Sequence, residues 1–179
     1  MSACSVSMRS VAAIRLFRPL LLSALSLTLG LGCTRAYIQN EGPYEFTAVE
    51  VVRDDCSLLS SPESLWDAEL TISGEVLRMS YGLMDMQLVG SFLGAGTEDD
   101  DAFSLDGSVA NASLTANGQQ CFVDQVTVHL QGTTQCATEF DGVLRVRYEP
   151  RPQQSSGCAC ELWVRYQAVQ NSSPCAKAP

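Results

Sequence analysis

From Tyr44 almost to its end, the sequence alternates apolar and polar residues with a period of two. Successive side chains of a β-strand point to opposite faces, so this alternation is typical of strands with one buried face. No stretch beyond residue 43 shows a convincing helical period. The pattern predicts an all-β fold with eight strands, at residues 44–53, 66–72, 76–81, 84–92, 103–109, 122–130, 140–148 and 160–168.

The connections between these predicted strands are short and polar. Ser73-Gly74, for example, is a dipeptide suited to a tight hairpin turn. Strands joined in this way form a meander whose two edges need protection, and closure into a barrel removes both edges. We therefore expect an eight-stranded antiparallel up-and-down barrel over residues 44–175. A β-sandwich is the alternative, although it needs connections that cross between sheets.

The interior of an eight-stranded barrel is wide enough for side chains or for one small ligand. The alternation turns many large side chains inward, which predicts a packed interior. These inward residues are Trp66, Leu70, Ile72, Met86, Leu88, Phe92, Phe103, Leu105, Phe122, Val126, Leu130, Phe140, Leu144, Tyr148, Leu162 and Tyr166.

The residues that precede the strands have the layout of an export signal. Three arginines, at positions 9, 15 and 18, are followed by an apolar run from Leu20 to Leu31. The run is shorter than the roughly 20 apolar residues that a membrane-spanning helix needs, so it indicates a removable signal segment. Translation starts either at Met1 or at Met8, which would begin a more compact signal.

The signal ends in Gly30-Leu31-Gly32-Cys33, which resembles the lipobox of bacterial lipoprotein precursors. The resemblance implies that residues 1–32 are removed and that Cys33 carries acyl chains, including palmitate, that anchor the protein in the membrane. Residues 33–43 then form a lipidated N-terminus and tether. Inner-membrane lipoproteins of enteric bacteria have aspartate after the lipidated cysteine, whereas this chain has Thr34. By resemblance, this difference implies that the protein is anchored in the outer membrane. An ordinary secretory signal cut near the same place is the alternative, and it would leave Cys33 for a disulfide.

The chain that starts at Cys33 is strongly acidic. It contains eight of the eleven basic residues and all twenty acidic residues, which gives a formal charge of −12. Such a charge repels phosphate backbones, so nucleic acid is not an expected partner. It also repels an anionic membrane surface, so attachment to the membrane depends on the lipid.

The six cysteines beyond Cys33 are an even number in an exported chain, which predicts three disulfides. An up-and-down order places Cys136 and Cys175 at one barrel end and the other four cysteines at the opposite end. We expect Cys136 to pair with Cys175. Closure of the barrel brings Cys56 beside Cys158 or Cys160, and Cys121 then takes the remaining partner. With a single histidine and no paired cysteines at ligand spacing, a metal site is not expected.

The sequence offers little that points to catalysis. His129 is the only histidine and lies in the outward phase of its strand, and no serine lies in a Gly-x-Ser-x-Gly elbow. We therefore predict no catalytic residues, no enzyme activity and no cofactor.

Three residues are candidates for ligand binding inside the barrel. Asp124 shares the apolar phase of Phe122 and Val126, and an inward carboxylate needs a partner or a ligand unless it lies at a wet rim. Met84 and Met86 share a face and could line an adaptable pocket, although methionine in a core is more often filler.

The strand pattern resembles that of lipocalin-like barrels, without any lipocalin sequence motif. The expected function is that of a non-enzymatic, lipid-anchored envelope domain that binds or scaffolds an envelope protein at its surface. The alternative is a lipocalin-like carrier of a small apolar ligand, which requires an open interior.

Overall fold

The first strand pairs with the last, and this pairing closes the sheet into a barrel. Strand β1 (Gly42–Asp54) runs antiparallel to β8 (Cys160–Gln170), from Tyr44 opposite Gln170 to Asp54 opposite Leu162. Every other strand pairs antiparallel with its neighbours in chain order: β2 (Ala68–Ser73), β3 (Val76–Tyr81), β4 (Met86–Phe92), β5 (Ala102–Ala116), β6 (Gln119–Cys136) and β7 (Glu139–Pro150). The predicted eight-stranded antiparallel barrel is confirmed, and the sandwich alternative is wrong.

The computed structural model describes residues 39–55, 57–59, 65–93, 101–116, 118–153, 158–171 and 173–175. Within these ranges the helical structure is one short 3₁₀ turn, Leu83–Asp85, and no helix there is both long and apolar enough to cross a membrane. The predicted signal, the lipidation site Cys33 and the first half of the tether lie outside the described residues.

Strands β5 and β6 are longer than predicted and form an arm beyond the barrel wall. Their pairing runs from Ala102 opposite Thr133 to Ala116 opposite Gln119, and it skips one residue on each strand, at Asn111 and Asp124. The backbone of Asn111 has φ 55°, a left-handed conformation that asparagine tolerates better than most residues. The sequence alternation is weak in this arm because small side chains such as Ala112 and Ala116 supply its buried face.

The irregularity at Asp124 reverses the phase of β6. On the N-terminal side of Asp124, Cys121 and Val123 are buried, whereas Phe122 is 43% exposed. The expectation that Phe122 faces the interior is therefore wrong. An extra residue in the ladder shifts every side chain before it to the other face, and the apolar pattern alone does not mark such a residue.

The predicted fourth strand begins two residues later than expected. Gly82 and the 3₁₀ turn Leu83–Asp85 connect β3 to β4, and Met84 and Asp85 have φ of 57° and 50°. Leu83 is buried in place of Met84, which is only partly buried. The alternation that starts at Met84 in the sequence therefore starts at Met86 in the sheet.

The end of the barrel where β1 begins, which we term the base end, is crossed by the residues just before β1. The backbone N–H of Asn40 donates to the Ala137 carbonyl at 2.8 Å, and Gln39 Nε2 donates to the same carbonyl at 3.3 Å. The Tyr44 hydroxyl donates to the Asn40 carbonyl at 2.9 Å. The predicted tether is therefore packed against the barrel from Gln39 onward.

Disulfides lie at both ends of the barrel. Cys136 and Cys175 are bonded at the base end, as predicted. Cys121 and Cys158 are bonded at the opposite end, which we term the cap end because the β5–β6 arm lies there. Cys160 is also disulfide-bonded. Cys56, for which the sequence predicted Cys158 or Cys160 as partner, lies outside the described residues.

Two glycines let neighbouring strands approach more closely than any side chain allows. A Cβ atom on Gly90 of β4 would lie 1.7 Å from the Ser104 carbonyl oxygen, and one on Gly142 of β7 would lie 1.9 Å from the Gln131 carbonyl oxygen. Both obstacles are backbone atoms of the adjacent strand, which cannot move aside as a flexible side chain can. Glycine at these positions lets the sheet coil tightly enough to close.

We predict that Gly90→Ala and Gly142→Ala each lower the free energy of unfolding by about 3 kcal/mol or more, because the added methyl group overlaps a backbone oxygen and displaces the adjacent strand. Urea denaturation of the oxidised protein measures the change. Gly118→Ala is the control, since a Cβ there meets nothing within 4 Å and costs only the strain of its φ of +74°, about 1–2 kcal/mol. Equal or smaller losses at positions 90 and 142 would contradict this role of the two glycines.

Candidate functional site

Aromatic side chains fill the interior of the barrel. Eight rings form a connected network in which neighbouring ring centroids lie between 4.9 and 6.1 Å apart. The network contains Tyr44, Phe46, Trp66, Tyr81, Phe92, Phe103, Phe140 and Tyr166. Edge-to-face contacts at these distances are favourable and leave little free volume. The interior is packed, as the sequence predicted, so a site for a ligand has to be sought elsewhere.

The three ligand-binding candidates from the sequence do not form a shared pocket. Met86 is buried in the core, and Met84 lies partly buried in the 3₁₀ turn. The Asp124 side chain is 57% exposed, and its Oδ1 lies 3.4 Å from Nε of Arg151. Of the two alternatives for Asp124, the inward carboxylate is wrong and the solvent-exposed carboxylate is found, because the ladder irregularity at this residue turns its side chain outward.

Arg151 forms an ion pair with Asp124 and binds both strands of the β5–β6 arm. Its Nη2 donates to Asn111 Oδ1 at 3.1 Å, and its backbone N–H donates to the Phe122 carbonyl at 3.3 Å. One arginine thus contacts the irregular residue of both strands of the arm. The position of Asp124 is explained by this structural contact.

Cys136, Glu139 and Cys175 bring two sulfur atoms and a carboxylate within 4.8 Å of one another. The two sulfurs are bonded to each other and provide no thiolate ligand. Glu139 accepts hydrogen bonds at 2.6 Å from the backbone N–H of Cys175 and at 2.6 Å from Gln167 Nε2. The disulfide and the hydrogen bonds of Glu139 therefore fix the C-terminal segment to the base end.

The register of the sheet brings a row of large polar side chains together on the outside of the barrel. His129 of β6 lies opposite Arg145 of β7, which lies opposite Trp163 of β8, which lies opposite Arg53 of β1. Two further arginines, Arg147 and Arg165, lie on the same strands. We refer to the outer surface formed by Arg53, Arg145, Arg147, Trp163 and Arg165 as the Arg–Trp wall.

At the centre of the Arg–Trp wall, a guanidinium group stacks on an indole ring. The Cζ atom of Arg145 lies 4.1 Å from the centroid of Trp163. Such a cation–π contact contributes about 0.5–1 kcal/mol at an exposed site. It favours the stacked conformation of both side chains, which reduces the side-chain entropy that is lost when another molecule binds.

The other arginines of the wall have carboxylate partners. Arg53 Nη1 lies 2.8 Å from Glu161 Oε2, Arg165 Nη1 lies 3.6 Å from Glu50 Oε2, and Arg147 Nε lies 3.8 Å from Glu149 Oε1. Asp55 also binds Arg53, and this hydrogen bond raises the pKa of the Arg53 guanidinium. Among the described residues no carboxylate forms an ion pair with Arg145. Its guanidinium group is instead stacked on the ring of Trp163.

Shallow depressions lie on either side of the Arg145–Trp163 pair. One, of about 510 Å³, is bordered by Arg53, Arg147 and Glu161 towards the cap end. Another, of about 380 Å³, is bordered by Val49, Val143 and Arg165 towards the base end. Val49 is 67% exposed, and Val51 and Val52 of the same strand are also exposed. The wall therefore combines an aromatic ring, arginines and exposed apolar side chains.

His129 continues the row onto β6, as its outward sequence phase indicates. Its Nδ1 lies 2.6 Å from Asp106 Oδ1 on the adjacent strand. A histidine beside a carboxylate is part of a catalytic triad only when its second nitrogen contacts a nucleophile. Within the described ranges no serine or cysteine is bonded to His129. The pair is a cross-strand contact on an open surface.

Sequence reasoning did not identify the Arg–Trp wall. The available signal was an outward-phase tryptophan, Trp163, in the same strand as Arg165, with Arg145 and Arg147 outward on the preceding strand. Only the register between the strands shows that these residues lie together.

The chain matches no protein-family model, no curated protein and no solved structure. The inference of function therefore depends on the geometry of this chain.

Burial perturbs the tyrosines of the interior. It raises the pKa of Tyr44, Tyr81, Tyr148 and Tyr166, and it is the main cause in each case. The nearby carboxylate of Asp54 further raises the pKa of Tyr148. A phenolate cannot form at these positions without loss of the packed interior.

We predict that the protein loses stability as the pH rises above 10. Tyrosines in the unfolded chain ionise near pH 10, whereas the buried tyrosines stay protonated, so unfolding releases protons. The stabilisation that comes from keeping these tyrosines protonated is complete below pH 10. Above pH 10, each buried tyrosine lowers the free energy of unfolding by up to about 1.4 kcal/mol per pH unit. Urea denaturation at increasing pH measures the slope, and Tyr166→Phe should reduce it. Phenolate absorbance that appears before unfolding would contradict this account.

Proposed function

We propose that this protein is an exported, lipid-anchored, non-enzymatic envelope domain that binds a protein partner on its Arg–Trp wall. The observation that carries the proposal is the network of aromatic rings in the interior, which leaves the outer surface as the place for recognition. The partner we expect presents a carboxylate to Arg145 and an apolar side chain to Trp163.

The composition of the wall supports protein binding. Tryptophan and arginine are enriched among the residues that contribute most to protein–protein binding, especially when they lie near the centre of an interface. Here they are already stacked on each other, with exposed valines and two depressions beside them.

Charge also favours this surface over the others. The described ranges contain six basic residues, and four of them belong to the wall. Elsewhere acidic side chains predominate, as in the depression bordered by Asp67, Glu69 and Asp85. A partner that carries carboxylates is repelled by those surfaces and is attracted to Arg145, which forms no ion pair with a carboxylate among the described residues.

Disulfides at both ends of the barrel are consistent with a protein exported from the cytoplasm. For the anchor we propose Cys33, with the outer membrane as the address. Cys33 is six residues before Gln39, the first described residue, and six residues span at most about 20 Å. A lipid on Cys33 would thus hold the base end near the membrane while the wall remains at the side of the barrel.

We predict that a photoreactive residue in place of Val49, beside the wall, forms a discrete cross-linked adduct in intact cells. The same residue in place of Val89, an exposed valine on β4, should not. Arg145→Glu should lower the yield from position 49 about tenfold or more, because the loss of a central binding residue costs about 2 kcal/mol or more. Arg78→Glu on β3 is the matched charge-reversal control. Equal adducts at positions 49 and 89, or a yield unaffected by Arg145→Glu, would show that the wall is not the binding surface.

We also predict that Cys33→Ser abolishes incorporation of labelled palmitate and moves the folded protein from the membrane fraction to the soluble fraction. Urea denaturation should be unchanged, since Cys33 precedes the strands of the barrel, the first of which begins at Gly42. The soluble variant should bind no apolar fluorescent probe at a one-to-one ratio, because rings fill the interior. Stoichiometric binding of such a probe would support the carrier alternative.

Membrane retention of Cys33→Ser without palmitate would contradict the proposed lipid anchor. It would not affect the proposal that a partner binds at the Arg–Trp wall.

A further inference from the structure

The outer surface of strands β1 to β4 carries charge of the opposite sign to the Arg–Trp wall. Pro43, Glu69 and Ser80 are exposed and lie directly opposite one another across β1, β2 and β3, so they form one outward row. Three carboxylates border the depression of about 440 Å³ along this row. Among the described residues none of the three forms an ion pair. We refer to the outer surface formed by Pro43, Asp67, Glu69 and Asp85 as the acidic face.

The acidic face and the wall lie at a similar height above the base end. Because the strands alternate in direction from the start of β1, the β2–β3 turn at Gly74 and the β6–β7 turn at Thr138 are both at the base end. Glu69 lies five residues before Gly74, and Arg145 lies seven residues after Thr138. When two molecules stand side by side with their base ends level, the acidic face of one can therefore meet the wall of the other.

Each of the two surfaces presents a charged side chain directly opposite an apolar ring. On the wall, Arg145 of β7 lies opposite Trp163 of β8. On the acidic face, Pro43 of β1 lies opposite Glu69 of β2. In the order of the strands, the charge therefore precedes the ring on the wall and follows it on the acidic face. Two barrels with parallel axes face each other with their strand orders reversed, so Arg145 meets Glu69 where Trp163 meets Pro43.

Arg78 limits the area over which the wall can contact these strands. It is the one basic residue on β2, β3 and β4, and it lies opposite the exposed Val89 of β4. Like charges that face each other across an interface are unfavourable, so the arginines of a wall are repelled from this part of the surface. The contact is therefore centred on Glu69 and excludes Val89.

We propose that the partner of the Arg–Trp wall is the acidic face of a second copy of this chain, an inference that rests on the proposed function of the wall. Glu69 of one copy pairs with Arg145 of the other, and Pro43 packs on Trp163. The two surfaces differ, so the contact is heterologous and each copy keeps one surface free for a further copy. The formal charge of −12 makes copies repel one another in free solution. Anchoring in one membrane raises their effective concentration and favours the contact.

Cross-linking from position 49 in intact cells tests the proposal when the full chain is produced with two different epitope tags at once. We expect an adduct with twice the mass of one chain that carries both tags. Glu69→Arg should lower its yield about tenfold or more, because repulsion from Arg145 replaces attraction. Glu75→Arg is the matched control, since it reverses the charge of an exposed glutamate in the base-end turn and should leave the yield unchanged.

A mixture of two variants tests the pairing itself. Arg145→Glu alters the wall and keeps the acidic face, whereas Glu69→Arg does the reverse. Each variant alone should give about a tenth of the adduct or less. When the Glu69→Arg chain carries the photoreactive residue at position 49 and is produced together with the Arg145→Glu chain, the mixed adduct should form as it does in the unaltered protein. If Glu69→Arg does not accumulate, Glu69→Gln takes its place.

The outcomes separate this proposal from the proposed function. An adduct that depends on Arg145 but contains a different protein would overturn the second copy as partner and would support the wall as a binding surface. The absence of any adduct at position 49 would overturn both proposals. An adduct of two copies that is unaffected by Glu69→Arg, or a mixture of the two variants that gives no adduct, would overturn the pairing of the wall with the acidic face.

Discussion

The rest of the structure depends on the hydrogen-bonded pairing of the first and last strands. Once β1 and β8 are joined, every strand has two neighbours and the sheet has no free edge over the paired ranges. Closure also decides which side of each strand faces the common interior, so the period-two pattern becomes a set of inward and outward side chains. The glycines at positions 90 and 142 allow the close strand approach that a tightly coiled eight-stranded sheet requires.

The packed interior limits where a ligand can bind. An eight-stranded barrel either fills its interior with side chains or keeps room for one small molecule. This chain fills it with tyrosine, phenylalanine and tryptophan rings from most of its strands. The rings give the barrel a rigid core, and the tyrosine hydroxyls introduce a few polar atoms into it. The binding function that we propose therefore lies on the outer surface, where an arginine is stacked on a tryptophan.

The two ends of the barrel have different tasks in this arrangement. At the base end, residues 39–41, the C-terminal segment and the Cys136–Cys175 disulfide are held together by hydrogen bonds, so the proposed anchor joins the domain at a rigid point. At the cap end, the β5–β6 arm is fixed by the Cys121–Cys158 disulfide and by Arg151. The anchor and the binding surface that we propose thus lie on different parts of the barrel, the anchor at the base end and the Arg–Trp wall on its side.

The sequence by itself determined the class of fold, the number of strands, their order, the approximate bounds of all but β5 and β6, and the Cys136–Cys175 pairing. These follow from local alternation and from chain order, because each strand bonds to its neighbour in sequence. The tertiary structure decided the outward position of Asp124, the turn at Met84 and the exposure of Phe122. It also decided that Arg53, Arg145 and Trp163 form one surface. Those features depend on which residue lies opposite which across a ladder, and one extra residue in a ladder reverses the faces beyond it without a mark in the apolar pattern.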